Sequence, residues 1–171
     1  MVHYLQSFKT IKDNYLIWFQ YRILYKILGT KEYLKRTNLS LESICNFCKS
    51  SSQDVQHLFA ECPVVGHLWE NLGKWIFNKI GLNFNIDETM KILGYLDFDM
   101  HFWPLNFFLL ITRKYIFWCT SKNYVPNIYF LQKKIKKRFI EQKYLHAIKS
   151  NTSVFCKKWT IWERVFDDIE T

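Results

Sequence analysis

The sequence predicts an all-α fold, a helical domain with an inserted CCHC zinc knuckle. Three observations lead there. Apolar residues recur at steps of three and four along most of the chain, and no stretch alternates with a convincing strand period. Only 5 Gly and 3 Pro are present, too few for a sandwich built of short turns. Finally, Cys45, Cys48, His57 and Cys62 stand in the spacing C-x2-C-x8-H-x4-C. Three thiolates and one imidazole are the ligand number and softness of a closed tetrahedral zinc site.

The elements follow in order. From Ile11 to Leu28, Leu16, Phe19, Ile23 and Ile27 trace one helix face, with Leu24 and Leu28 alongside and Lys12, Asp13, Arg22 and Lys26 off it. Gly29 is the expected terminator, and Thr30 caps a shorter helix, Lys31 to Arg36. The knuckle turns at Asn46 and Phe47, returns through a polar loop from Lys49 to Asp54, and enters a short helical stretch from Val55 to Glu61. Pro63 suits the first turn of a helix through Leu68, Trp69, Leu72, Trp75 and Ile76 to about Lys79, ended by Gly81. Asp87 is the candidate N-cap for Glu88 to Gly94, and Asp97 to Phe102 reads as a turn. The most apolar stretch, Phe102 to Cys119, is interrupted by Pro104, Asn106, Thr112 and the adjacent Arg113 and Lys114, so Leu105 to Ser121 is expected to be a buried core helix and not a membrane span. Pro126 opens a long segment in which Leu131, Ile135 and Phe139 form the apolar stripe, and a final helix near Val154–Ile169 carries Phe155, Trp159 and Trp162. Residues 10–80 read as one domain around the knuckle (45–62), and 81–171 as a basic helical region.

A full ligand shell leaves no open coordination position, so one structural zinc ion is expected and no metal chemistry. Cys119 and Cys156 have no such company, and His67 is only a substitute ligand candidate. The absence of a basic-then-apolar leader, with five cysteines of which three belong to the motif, points to a reducing intracellular compartment.

Net charge is +9, unevenly placed. Residues 1–59 carry eight basic and four acidic side chains, 60–110 three and six, and 111–171 thirteen and five. Positive surface at both ends favours polyanions. Only five of the 24 basic residues are Arg, and the richness in Lys, Asn, Ile, Phe and Tyr is also what an AT-rich coding sequence produces without selection for binding.

The segment Phe19-Gln-Tyr-Arg-Ile-Leu-Tyr-Lys-Ile-Leu28, then Thr30-Lys-Glu-Tyr-Leu34, the metal ligands, and His57-Leu-Phe-Ala-Glu-Cys-Pro63 with Trp69 six residues on, together resemble a known module. This is the zinc-binding region C-terminal to the reverse transcriptase of non-LTR (LINE-type) retrotransposons. Retroviral nucleocapsid knuckles use a shorter C-x2-C-x4-H-x4-C spacing, so the eight-residue gap favours the LINE type. The resemblance covers residues 15–75 closely and the later helices loosely. It implies that Cys45, Cys48, His57 and Cys62 hold zinc and that the region is a nucleic-acid-binding accessory, located in the nucleus or in a cytoplasmic ribonucleoprotein. No catalytic residue carries over, because the family's polymerase carboxylates belong to an upstream domain and no Tyr-x-Asp-Asp motif is present. Asp97, Asp99, Asp167 and Asp168 read as solvated acids and not as a nuclease site.

The expected function is therefore a zinc-stabilised accessory that holds RNA or DNA, with little sequence preference, for a reverse transcriptase. No membrane and no small-molecule substrate is expected. With three thiolates the zinc complex is formally −1, so phosphate contacts must come from flanking side chains. Lys31, Lys35, Arg36 and Lys49 near the knuckle, and Lys133, Lys134, Lys137 and Arg138 further on, are the candidates. Phe47 either stacks on a base or packs on Phe59. The rival readings are a protein-interaction module docking on the polymerase domain or another partner, and a retroelement relic with no present function. Loss of zinc is expected to loosen the local lobe and spare the helical remainder.

Overall fold

The computed structural model describes residues 13–96, 102–148, 152–167 and 169. The described residues contain no strand, only an isolated antiparallel bridge between Ile44 and Ser52. The fold is all-α. Helix α1 spans Asn14–Leu24, α2 Lys31–Arg36, α3 Pro63–Ile80, α4 Glu88–Leu93, α5 Trp103–Lys122, α6 Ile128–Ile148 and α7 Thr152–Trp159. A π-helical turn, His57–Glu61, precedes α3, and a 3-10 turn, Trp162–Phe166, follows α7.

The centre is α5. It is buried over most of its circumference, as a central helix must be: Leu105, Phe108, Leu109, Leu110, Ile116 and Cys119 are all buried. No helix among the described residues is long and apolar enough to cross a membrane. Around α5 pack α1, α4, α6, α7 and the π-turn, while α3 rests on α6 and the 3-10 turn. One continuous buried cluster results, running from Leu16 of α1 through Cys45 and Cys62 to Phe166.

Several ends differ from the sequence reading. The first helix begins at Asn14 because the Asp13 carboxylate accepts the Tyr15 and Leu16 N–H groups (2.9 and 3.4 Å). It stops at Leu24, and Gly29 is not the terminator. Lys26 adopts a left-handed φ of 55°, and the Ile27 and Lys26 N–H groups return to the Arg22 and Ile23 carbonyls (2.9 and 3.1 Å), a Schellman closure. Leu28 is thereby buried and Ile27, placed on the core face by periodicity, is exposed. The last helix is not continuous from Val154 to Ile169. The Thr160 hydroxyl and N–H both take the Cys156 carbonyl (2.6 and 2.9 Å), α7 ends, and the 3-10 turn brings Trp162 against Phe84 and Phe108. Aromatic packing outweighs helix continuation there. The expected turn at 97–102 lies, but for Phe102, outside the described residues.

Helix α4 is too short to stand alone, and buried side chains cap its last turn. Gln20 of α1 donates to the Ile92 carbonyl (3.0 Å), and Arg113 of α5 donates to those of Met90 and Lys91 (3.1 and 3.4 Å). Arg113 is fully buried, and that burial pushes its pKa down to about 9.

Candidate metal centre

Two short segments build the site. In the first, the Cys45 N–H bonds the Ser51 carbonyl (2.8 Å) and the Gln53 N–H bonds the Ser43 carbonyl (2.7 Å). That ladder forces a tight turn through Asn46, Phe47 and Cys48, closed by Lys49 in the left-handed region at φ 59°. Cys45 and Cys48 thus turn their sulfurs to one side. In the second segment, the Asp54 carboxylate caps the His57 N–H (2.7 Å), and the Cys62 N–H returns to the His57 carbonyl five residues back (2.8 Å). An α-helical register of 3.6 residues per turn would set residues five apart roughly 140° from each other. The wider π-turn brings His57 and Cys62 to the same side instead, a use of π-geometry common at functional sites.

The local sequence now has a structural reason. Leu58 and Phe59 are buried, Pro63 starts α3 where its missing N–H costs nothing, and the Trp69 indole N–H donates to the Phe59 carbonyl (2.8 Å). Trp69 therefore locks the π-turn onto the helix that follows it.

The four ligand atoms lie within 4.8 Å of one another. A zinc ion with bonds of about 2.3 Å to sulfur needs tetrahedral ligands about 3.8 Å apart, so the set fits one ion. His57 presents Nε2, 3.2 Å from the Cys48 sulfur. Cys45 and Cys62 are fully buried, His57 nearly so, and Cys48 partly exposed.

The electrostatics are those of a cation site. A hydrogen bond from the Cys62 thiol, against the burial that opposes it, pulls Cys45 down to about 4, while the same shared proton pushes Cys62 up. Burial raises the Cys48 pKa, but hydrogen bonds from Ser50 and His57 lower it more. Burial likewise disfavours the His57 imidazolium, yet the hydrogen bonds and charges of Cys45 and Cys48 raise its pKa overall. Positive charge is thus favoured where a divalent ion would sit. Around the sulfurs, the Ser50 hydroxyl donates to Cys48 (3.1 Å) and the Gln53 amide reaches Cys45 (3.7 Å). Gln53, read from sequence as loop, is buried and also donates to the Thr120 hydroxyl (2.9 Å). Asn46 donates to the Thr120 carbonyl (2.9 Å), so two knuckle residues hold the end of α5.

His67 is exposed beside Glu70 (3.7 Å) and away from the cluster's donor set. Cys119 is buried and Cys156 exposed, both as free thiols. Asp167 is exposed, whereas Asp97, Asp99 and Asp168 lie outside the described residues.

The cationic candidates do not form one surface. Lys31 pairs with Glu42 (3.2 Å), Arg36 lies over the Tyr33 ring, and Lys35 and Lys49 are exposed. Helix α2 is tied to the knuckle through the Glu32 N–H to the Gln53 carbonyl (3.1 Å) and Ser52 to the Glu32 carboxylate. Phe47 is half-buried against the core, and Phe59 meets Phe19 edge-on at 6.5 Å. On α6, Lys133 covers Tyr129 and Lys134 covers Trp118, Lys137 is exposed, and Arg138 bonds Glu141 (2.9 Å) and approaches Asp13 (3.6 Å). Sequence reasoning missed the supporting roles of Asn46 and Gln53. Both are polar residues inside the motif spacing, and no composition signal marks them as supports.

Fold and ligands together define a helical zinc-binding region. Residues 6–69 match the family model described as zinc-binding in reverse transcriptase, which supports a zinc-binding region associated with reverse transcriptase in this segment. The matched family is a zinc-binding one and not a polymerase catalytic domain. No curated protein and no solved structure matches the chain.

Proposed function

We propose that the chain is a non-catalytic accessory of a LINE-type retrotransposon reverse transcriptase. In this reading it carries one structural zinc ion on Cys45, Cys48, His57 and Cys62 and holds RNA or DNA by phosphate contacts. The observation that supports it most is the placement of exposed cations on a metal-braced frame. Lys35 and Arg36 stand on a helix pinned to the knuckle, Lys49 on the knuckle turn itself, and none has a carboxylate partner among the described residues. Lysines offer point charges to phosphates and little base discrimination.

Fluorescence anisotropy of labelled single-stranded RNA and duplex DNA against zinc-loaded protein, over a salt series, tests this. Binding should fall steeply with salt, each lost phosphate contact lowering the log–log slope by about 0.7 on single strands or about 0.9 on duplex. No binding at low salt from a folded, zinc-containing chain would refute the role.

A second reading has its own observation. Leu39, Leu41 and Ile44, between α2 and the first metal ligand, are exposed. They favour a docking module for a polymerase domain or another protein, whose binding would change little with salt.

A further inference from the structure

The cations of α6 do not face solvent as a simple charged stripe. Two of them, Lys134 and Lys137, line one wall of a cleft of about 300 Å³ between α1, α5 and α6, whose other lining includes Leu16, Lys114, Tyr115 and Trp118. Arg138 and Glu141 lie at its edge and neutralise each other at 2.9 Å. Lys114, Lys134 and Lys137 have no carboxylate partner among the described residues, and with Asp13 also 3.6 Å from Arg138 the cleft keeps a net positive charge. Its volume stands at the small end of ligand pockets, which run from about 300 to 1,000 Å³. That is room for one flat group and its charged appendage.

The lysines are held on aromatic faces and not on acids. Lys134 Nζ lies 4.6 Å from the Trp118 ring centre, and Lys114 Nζ lies 4.1 Å from that of Tyr15 while donating to its hydroxyl (2.7 Å). Trp118 is 39% exposed, which is high for an indole flanked by a stacked Tyr115 (6.2 Å, 18°). The cleft is also shaped by design of the backbone: the Asn127 N–H donates to the Tyr115 hydroxyl (3.1 Å) and fixes the turn between α5 and α6. Tyr15 and Trp18 of α1 and Tyr124 beyond α5 continue the exposed aromatic surface on either side.

We propose that this cleft, formed almost wholly outside the matched residues 6–69, is a single-strand nucleic-acid site that takes one nucleotide at a time, its base on Trp118 and its phosphate between Lys114, Lys134 and Lys137. An exposed cation–π contact is weaker than a base stacked on an indole. An incoming base therefore displaces Lys134 from the Trp118 face, and the freed ammonium meets the phosphate attached to that base. A duplex keeps its bases paired and cannot offer that flat face, so the cleft selects single strands. The inference rests on the nucleic-acid reading above and gives it a location away from the knuckle.

The test uses the full zinc-loaded chain with a labelled 12-nucleotide oligo-dT. Trp118→Ala, which leaves the charge unchanged, should weaken binding roughly tenfold. Lys134→Gln with Lys137→Gln should lower the salt slope by about 1.4. Lys74→Gln, a charge lost on α3 outside the cleft, should change affinity less than about twofold. Binding that persists unchanged in the Trp118 and lysine variants would overturn the cleft while leaving a nucleic-acid role intact. Absence of any oligonucleotide binding at low salt would overturn both. Binding of an oligo-glutamate peptide that the same variants abolish, with the oligonucleotide unaffected, would assign the cleft to an acidic partner and also overturn the proposal. Both lysines are on an outer helix face and Trp118 is part-exposed, so circular dichroism should show all variants folded.

Discussion

Replacing Gly94 with Ala tests how the small helix behind the metal centre is held. Gly94 caps α4 with φ 92° and ψ −179°, a region open essentially only to glycine, and forcing another residue there costs about 1–3 kcal/mol. A Cβ at this position would also lie 2.6 Å from Oδ1 of Asn106. That amide is buried and already committed on both sides: it accepts the Tyr95 N–H (2.7 Å) and donates to the Tyr95 carbonyl (2.9 Å). Moving it leaves buried polar groups unpaired, at about 1–3 kcal/mol. The stiffer unfolded chain returns about 0.4–1 kcal/mol, so the expected loss is about 1–5.5 kcal/mol out of a typical 5–15. Urea denaturation of the zinc-loaded protein, followed by far-ultraviolet circular dichroism, reads this directly. Gly66→Ala is the matched control, because nothing lies within 4 Å of its Cβ in mid-α3, and it should stabilise by about 0.5–1 kcal/mol. If Gly94→Ala matches or exceeds the wild-type midpoint, the argument from backbone region and Asn106 is wrong.

Arg113→Ala should destabilise by about 2–4 kcal/mol in the same assay, since it uncaps two carbonyls of α4 and opens a cavity; Arg113→Met, which keeps volume and removes a buried charge that has no carboxylate partner among the described residues, should cost less than about half of that. Gln53→Ala removes the amide between Cys45 and Thr120 and should weaken zinc about 10–100-fold in competition with a chromophoric chelator. In the zinc-loaded chain a thiol reagent should modify Cys156 quickly and leave Cys119, whose burial also raises its pKa; chelation should then expose Cys48 before Cys45 or Cys62. Zinc affinity should fall as pH drops, because the metal binds thiolates and a neutral imidazole that protons compete for, and titration of zinc binding from pH 8 to 5 measures it.

What was legible in the chain was whatever local chemistry decides. Thr30 and Asp87 cap α2 and α4 as expected, with side-chain oxygens on Tyr33 and Met90 N–H groups, and Gly81 ends α3 at φ 71°. The ligand quartet was legible too, since four soft donors in that spacing have few other uses, and the structure brings their atoms together. Lys26 shows where this ends: a lysine in a left-handed turn has no composition signature, and its position follows from burying Leu28. The π register was invisible for a similar reason, because the gap between His57 and Cys62 suits a helix only once both must face one ion. Arg113 and Lys114 looked alike as interruptions of an apolar run. One became a buried helix cap and the other part of a cationic cleft, and only the positions of α1, α4 and α6 separate them.

Those positions also bear on how far the metal's influence reaches. The sequence suggests that zinc loss loosens a lobe and spares the remaining helices. The packing argues for a wider effect. Cys45, Leu58, Phe59 and Cys62 belong to the same buried cluster as α5 and α6, so lobe and body share one apolar core. Asn46 and Gln53 grip both the carbonyl and the hydroxyl of Thr120, two residues beyond Trp118 on the same helix. A knuckle without its ion must still choose positions for three thiols crowded within 4.8 Å, and relief of that crowding moves the segment that holds Thr120. The last turn of α5 then loses its support, and with it the Tyr115–Asn127 contact that shapes the cleft. A metal with no free coordination position and no attraction for phosphate would in this way still control the proposed single-strand site, by fixing the helix whose other face carries the indole.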